Sequence, residues 1–474
     1  MFNKIKKKIC KISLSLEKGV PYFLFLYFFL ILMPSIFSNF EMKTVFNSST
    51  FLESFKAIVF GVFLLYFTII FIGGNFRINI KLLVVLGVLT LISFFAVFSL
   101  NNPTNIMAFI VDSQGVTNSF VEVQVPVSFI SKILSIYATL ANVVIFYFFI
   151  DILPQLIKKD ETLLYKFFTQ VRLLILVFVL YSIVLEFDLL IDALKKFPNG
   201  NLSSLFAQKN SFARIMFFAF LGSFYLVQKK KDLINIILLV SILIYTIILG
   251  SLNVLLAVFI FILVYYTFHM FKNRKRYKKI FLLSLLFYSI TLIFLVLVLS
   301  PISRSIPILS KIHNTISSFI DDPRLIVWES VIYSLGTTRG LVFGYGDKLI
   351  STFVYASTSQ SYVKYLNVRI LHNGLLEVLF TGGIFRFVAY CLLLVSIFDK
   401  IQRTKKHDFK MFSFLASVFI SFIFFQMFET SVLGTSTSDS FILSILLISL
   451  VCSFDKTNEF KSERTLPSKE TKKG

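Results

Sequence analysis

KKKDLINIILLVSILIYTIILGSLNVLLAVFIFILVYYTFHMFKNRKRYKK occupies residues 229–279, and its reading decides the fold. Two apolar runs, near 233–250 and 252–270, meet at Gly250-Ser251. Their far ends are closed by Lys229-Lys230-Lys231 and by the basic cluster from Lys272 to Lys279. Each run is about 20 residues long, which at about 1.5 Å per residue is the length of a helix that crosses the hydrocarbon core. The turn between them carries no Lys or Arg, and the two outer ends are full of both. A helical hairpin in a membrane has this pattern, because cationic connections stay on the cytoplasmic side.

The pattern repeats along the chain. Apolar runs lie near 21–38, 53–73, 82–100, 129–153, 167–187 and 211–227, and again near 280–300, 375–398, 411–429 and 437–453. Arg77 and Lys81 fill one connection, Lys158, Lys159 and Lys166 a second, and Lys400, Arg403, Lys405, Lys406 and Lys410 a third. Of the alternate connections, 101–128, 250–252 and 430–436 contain no Lys or Arg. The phase is unbroken. It predicts an all-α, polytopic integral membrane protein of about 12 transmembrane helices with both termini cytoplasmic. The expected division is a basic tail 1–20, spans 21–300, a large extracytoplasmic loop 301–371, spans 372–453 and a tail 454–474.

Composition agrees. Hydrophobic residues make up 57% of the 474 and charged residues 15%, more apolar surface than a soluble domain of this length can hide. The net charge of +22 sits mostly between spans, so it reads as membrane orientation and not as nucleic-acid binding. Cys10, Cys391 and Cys452 are scattered and form neither a disulfide framework nor a metal motif. Sixty Phe against one Trp points to an A/T-rich bacterial genome. No phosphate-cradling Gly-Lys loop, HExxH or paired CxxC is present, which argues against nucleotide hydrolysis and against a metal-dependent hydrolase.

The loop 301–371 is the largest polar segment, and long loops are where function concentrates. It holds His313, Arg324, Trp328, Arg339 and Arg369, and His372 stands at its end. His accepts protons near neutral pH, and Arg offers a fork of donors to phosphate. The plain alternative is that such residues only solvate a loop. Within it, Ile316, Phe319 and Ile320, then Leu325, Trp328 and Ile332, have one-faced helical spacing, which predicts short interfacial helices separated by Pro323 and capping a cavity. Arg172, Arg214 and Arg386 lie in apolar runs, where an ionisable group is either functional or an ion pair between helices, for instance with Glu186 or Glu377.

His372-Asn373 followed by apolar residues and Gly382-Gly383 resembles the signature of the O-antigen ligase and polymerase family of membrane glycosyltransferases. Arg324…Trp328 followed by Gly344-Tyr345-Gly346 resembles that family's Arg…Trp…Gly-x-Gly stretch, and Asn210 to Ala213 resembles its Asn-x-x-Ala. The resemblance covers roughly residues 200–390. It implies a body similar to C-type glycosyltransferases. The implied donor is a polyprenyl-pyrophosphate-linked oligosaccharide, and no metal or cofactor is needed. Catalysis would fall to His372 and Arg324, and substrate binding to Asn210, Arg214, Trp328, Arg339, Arg369 and Asn373. Implied partners are membrane lipids, a chain-length regulator and a flippase, with no nucleic acid. The expected location is a bacterial inner membrane. Where the family often has Ser-Arg, this chain has Ser251-Leu252, so another Arg must hold the pyrophosphate. The leading expectation is a polymerase of surface-polysaccharide repeat units (capsule, exopolysaccharide or O-antigen). An O-antigen ligase that transfers to a lipid A core is the alternative within the class. A lipid-linked oligosaccharide flippase or transporter is the alternative outside it, disfavoured because polar residues pool in one loop and no internal repeat is evident.

Overall fold

The computed structural model describes residues 2–37, 49–74, 76–111, 118–196, 202–206, 209–272, 310, 328, 331–332, 335–336, 338–347, 371–433, 435 and 437–453. The chain is mostly helical. Among the described residues, eight helices are long and apolar enough to cross a membrane, and Ala57–Gly73, Leu233–Ile248 and Ser440–Ser453 are shorter apolar helices. The expected span near 280–300 lies outside the described residues, as do the tail 454–474 and most of the loop 301–371.

Helix α1 (Phe2–Phe37) extends back through the Lys-rich segment expected as a tail. It packs antiparallel on α2 (Ser49–Gly73). Ser13 Oγ donates to Ile70 O at 3.1 Å and Tyr66 Oη to Leu16 O at 2.7 Å. Then come α3 (Ile80–Phe98), a hairpin of β1 (Thr104–Val111) and β2 (Asn118–Val125), and α4 (Phe129–Lys159). The hairpin is antiparallel, with Thr104 opposite Val125 and Val111 opposite Asn118. It adds two strands to an otherwise helical plan: the β-branched, alternating run 118–125 pairs within what reads in sequence as a connection between spans. Next are α5 (Leu163–Leu185), α6 (Phe187–Lys195), α7 (Lys209–Lys229), α8 (Leu233–Ile248) and α9 (Leu252–Lys272). The short α10 (Thr338–Phe343), α11 (Gly374–Thr404), α12 (Phe409–Gln426) and α13 (Ser438–Ser444) complete the described helices.

The short connections begin with side chains that satisfy the orphan N–H groups of a helix start. Asn79 caps α3, Ser128 caps α4, Asp232 caps α8, Asn373 caps α11 and Asp408 caps α12. Helices α7 and α12 are buried along most of their length, whereas α3 and α8 present apolar side chains such as Leu91 and Ile234 outward. An outward apolar face has no stable place in water and fits lipid. A π turn, Phe148–Ile152, interrupts α4, and a second, Ile445–Ser449, continues α13; the two pack against each other.

The connections 76–79, 160–162, 230–232 and 405–408 gather at one end of the bundle, the basic end. The hairpin, the turn 249–251, the segment 338–347 and the connection 427–433 gather at the other. Here a second apolar cluster, including Leu100, Val125, Leu335, Tyr345, Leu371 and Phe380, joins the base of the hairpin to the loop and to α11.

Candidate functional site

At the hairpin end, four helix ends meet around one carboxylate. Glu429 lies three residues beyond α12, and its side chain is 5% exposed. Arg214, in the second turn of α7, places Nη1 at 3.6 Å from Glu429 Oε2. His372, just ahead of α11, places Nδ1 at 3.7 Å from the same oxygen. Asn253, in the first turn of α9, donates Nδ2–H to Glu429 Oε1 at 3.2 Å. Ser251 Oγ donates to Asn210 Oδ1 at 3.3 Å, which ties the starts of α7 and α9 together. Backbone bonds hold the frame as well: Gly374 N donates to Glu429 O at 3.1 Å. A Cβ on Gly374 would come within 2.9 Å of Gln426 Nε2 and 3.1 Å of Ser431 O, so glycine lets the chain pass.

The electrostatics follow from this geometry. Burial would raise the Glu429 carboxyl, but His372, Arg214 and Asn253 together outweigh it and hold it below the ordinary value. The carboxylate is therefore ionised at neutral pH. The starts of α7, α9 and α11 all face it, and the partial positive charge at helix N-termini favours an anion there. His372 has φ of 50°, a left-handed conformation that costs a non-glycine residue about 1–3 kcal/mol and recurs at functional sites. Its side chain is 33% exposed, yet Nδ1 is buried with no hydrogen-bond partner among the described residues.

The structure thus brings His372, Arg214 and Asn210 together. Of the other expected site residues, Asn373, Trp328 and Arg339 make contacts of their own. Asn373 Oδ1 accepts from Leu376 N at 3.0 Å and caps α11. Trp328 Nε1 donates to Leu371 O at 2.7 Å and fixes the residue next to His372. Arg339 Nη2 donates to Ala96 O at 2.7 Å and Ser99 Oγ at 3.0 Å, and so satisfies a carbonyl at the end of α3. Arg324, Arg369 and His313 lie outside the described residues, as do nearly all of the expected interfacial helices. The ionisable groups within helices find partners other than those expected. Arg172 Nη1 donates to Asn235 Oδ1 at 2.7 Å, not to Glu186. Arg386 Nη1 pairs with Asp347 Oδ1 at 2.6 Å, not with Glu377.

That last pair anchors the loop. Asp347 Oδ2 also accepts from Thr139 Oγ1 of α4 at 2.8 Å. Ahead of it, Tyr345 N donates to Phe380 O at 2.8 Å and Gly346 N to Thr381 O at 2.9 Å. Helix α11 is bent here at Gly383, whose φ is 64°. From Arg386, an apolar cleft of about 410 Å³ runs between α3, α4 and α11 towards Lys400 and Cys452 at the basic end. Its upper wall includes Val378 and Leu433, which flank the His372–Glu429 cluster in sequence.

Sequence reasoning misses Glu429, because the apolar run 411–429 extends through it. The available signal was a lone carboxylate at a span end, in a connection without Lys or Arg. Compared with protein-family models and with curated proteins, the chain has no match.

Proposed function

We propose that the protein is a metal-independent membrane glycosyltransferase that polymerises lipid-linked oligosaccharide repeat units of a bacterial surface polysaccharide. In this reading the hairpin end faces the extracytoplasmic side and both termini are cytoplasmic. The donor is a polyprenyl-pyrophosphate-linked oligosaccharide. His372 takes the proton from the attacking sugar hydroxyl, and Arg214 receives the pyrophosphate, together with Arg324 from the loop.

The observation that carries the reading is the convergence of His372, Arg214 and Asn210, distant in sequence, on one point faced by three helix N-termini. A base and a cation beside an anion-favouring frame suit a reaction that deprotonates a hydroxyl and stabilises a departing pyrophosphate. Arg214 offers the charge that the missing Ser-Arg arginine leaves wanting. The apolar cleft suits a long isoprenoid chain, since its walls are largely hydrocarbon.

The test is the ladder of glycan lengths on a gel, in a strain deleted for the gene and complemented with variants. His372→Ala is expected to abolish long chains with the protein at its normal membrane level, since a positioned base is worth about 10²–10⁴ in rate. Arg214→Ala and Arg324→Ala are expected to do the same, with Lys restoring only part. Normal ladders from His372→Ala and Arg214→Ala would remove the reading. Single repeat units that still reach the surface in the dead variants mark a polymerase. Long chains that accumulate on the lipid carrier mark a ligase.

A further inference from the structure

His372 presents an oddity that a solvated loop histidine would not. Its backbone is held left-handed. Its Nδ1 is buried without a hydrogen-bond partner among the described residues, yet points at a carboxylate 3.7 Å away. That carboxylate is itself held from three further directions. Arg214 of α7 and Asn253 of α9 bind its two oxygens, and its own backbone carbonyl accepts from Gly374 N. A merely structural ion pair needs none of this convergence, and a buried charge that served only stability would be costly to keep.

We propose that Glu429 is a positioning residue that holds His372 by Nδ1, so that Nε2 is the atom that takes the proton. Its negative charge then stabilises the imidazolium formed in the reaction. The inference rests on the transferase reading above. The imidazole carries its hydrogen on Nδ1, facing Glu429 Oε2, and offers the Nε2 lone pair to the partly open side. The acceptor sugar's O–H proton passes to Nε2 as the oxygen attacks the anomeric carbon. A new C–O bond forms, the bond from that carbon to pyrophosphate breaks, and the electron pair leaves with the pyrophosphate. The imidazolium now lies against a carboxylate, and the leaving pyrophosphate is free to draw Arg214 from its 3.6 Å contact. The Nδ1–Oε2 separation is longer than a hydrogen bond, as catalytic contacts without substrate commonly are. Among the described residues, the charged groups that face Glu429 are Arg214 from α7 and His372 at the start of α11. Asn253 from α9 is neutral.

Two measurements on the full-length protein in detergent test this. The first needs no activity: carbethoxylation of His372 by diethyl pyrocarbonate, followed peptide by peptide in mass spectrometry against pH. The reagent takes only the neutral ring, so its pH midpoint is that of the imidazole. A negative charge beside the ring favours its charged form, so removing that charge in Glu429→Gln should lower the midpoint. Glu429→Asp should recover part of the shift. The second is the acidic limb of the transfer rate, which should move the same way in Glu429→Gln with a loss of about 10-fold at the optimum, the Brønsted cost of a weaker base. An unchanged carbethoxylation midpoint in Glu429→Gln overturns the proposal, whatever the activity does. A shifted midpoint with full transfer in both His372→Ala and Glu429→Gln leaves the electrostatic coupling standing and removes the transferase reading beneath it.

Discussion

Replacing Gly344 with alanine probes how the loop is fastened to the bundle. Gly344 has φ of 71°, and a Cβ there would meet Gly383 N at 2.6 Å, Gly382 N at 2.7 Å and Phe380 O at 2.7 Å. All three are backbone atoms of α11, so no side chain can swing aside. The left-handed conformation costs an L-residue about 1–2 kcal/mol. Overpacking against a fixed wall adds about 1–3 kcal/mol. A central value of about 3 kcal/mol changes the ratio of docked to undocked loop by about 10²-fold. Amide hydrogen exchange reports this opening directly, because the N–H groups of Tyr345 and Gly346 are bonded to Phe380 O and Thr381 O of α11. In Gly344→Ala the peptide covering 341–347 is expected to exchange about 10²-fold faster, while peptides within α7 and α12 keep their protection. Unchanged exchange at Tyr345 and Gly346 would refute the account of the docking.

The ion pair below this contact gives a second expectation. Asp347→Asn or Arg386→Met alone should lower the unfolding midpoint in detergent, and the double variant should lose less than the sum of the two, because breaking one side leaves a partly buried charge without its partner; strict additivity would show the pair is uncoupled. A third concerns pH: Glu429, with its folded-state value below the ordinary 4.5, contributes stability that is complete above that value and fades as pH falls through the lower one. Wild type should therefore lose stability relative to Glu429→Gln on acidification below about pH 4.5, and parallel curves would contradict it. A fourth tests orientation in a cysteine-free background: exposed Glu122→Cys should react with an impermeant maleimide on intact cells, and exposed Lys406→Cys only after permeabilisation; the reverse pattern would invert the topology.

Much of the helical plan can be read along the chain because hydrocarbon leaves the backbone no partner but itself. Apolar runs between polar connections therefore become helices, and Asn79, Ser128, Asp232 and Asp408 mark their starts as they would in water. The hairpin was harder to see, because β1, TNIMAFIV, is apolar on both faces and has no helix-length run to declare itself. The candidate site was legible only in part. His372, Asn210 and Arg214 each stand at the mouth of a span, where an ionisable or amide group is conspicuous. What binds them, Glu429 for His372 and Ser251 for Asn210, lies 57 and 41 residues away in the chain, joined only by the packing of the helices. Arg339 and Asn373 illustrate the converse: polar residues near a site that bind helix ends.

The paired π turns have a consequence for how the chain can change its length. A π turn holds one residue more than an α turn, so the helix beyond it is rotated by about 100° from where an unbroken helix would put it. Before its π turn, α4 directs Thr139 at Asp347; after it, Gln155 accepts from Arg77 N at 2.9 Å. The two contacts are made together with the extra residue in place. A chain that lost one residue within 148–152 would keep one of these contacts and turn the other away. Because the π turn 445–449 lies against it, the neighbouring helix would be left with a bulge facing a straight wall. Insertions and deletions at these two places should therefore be inherited together or not at all.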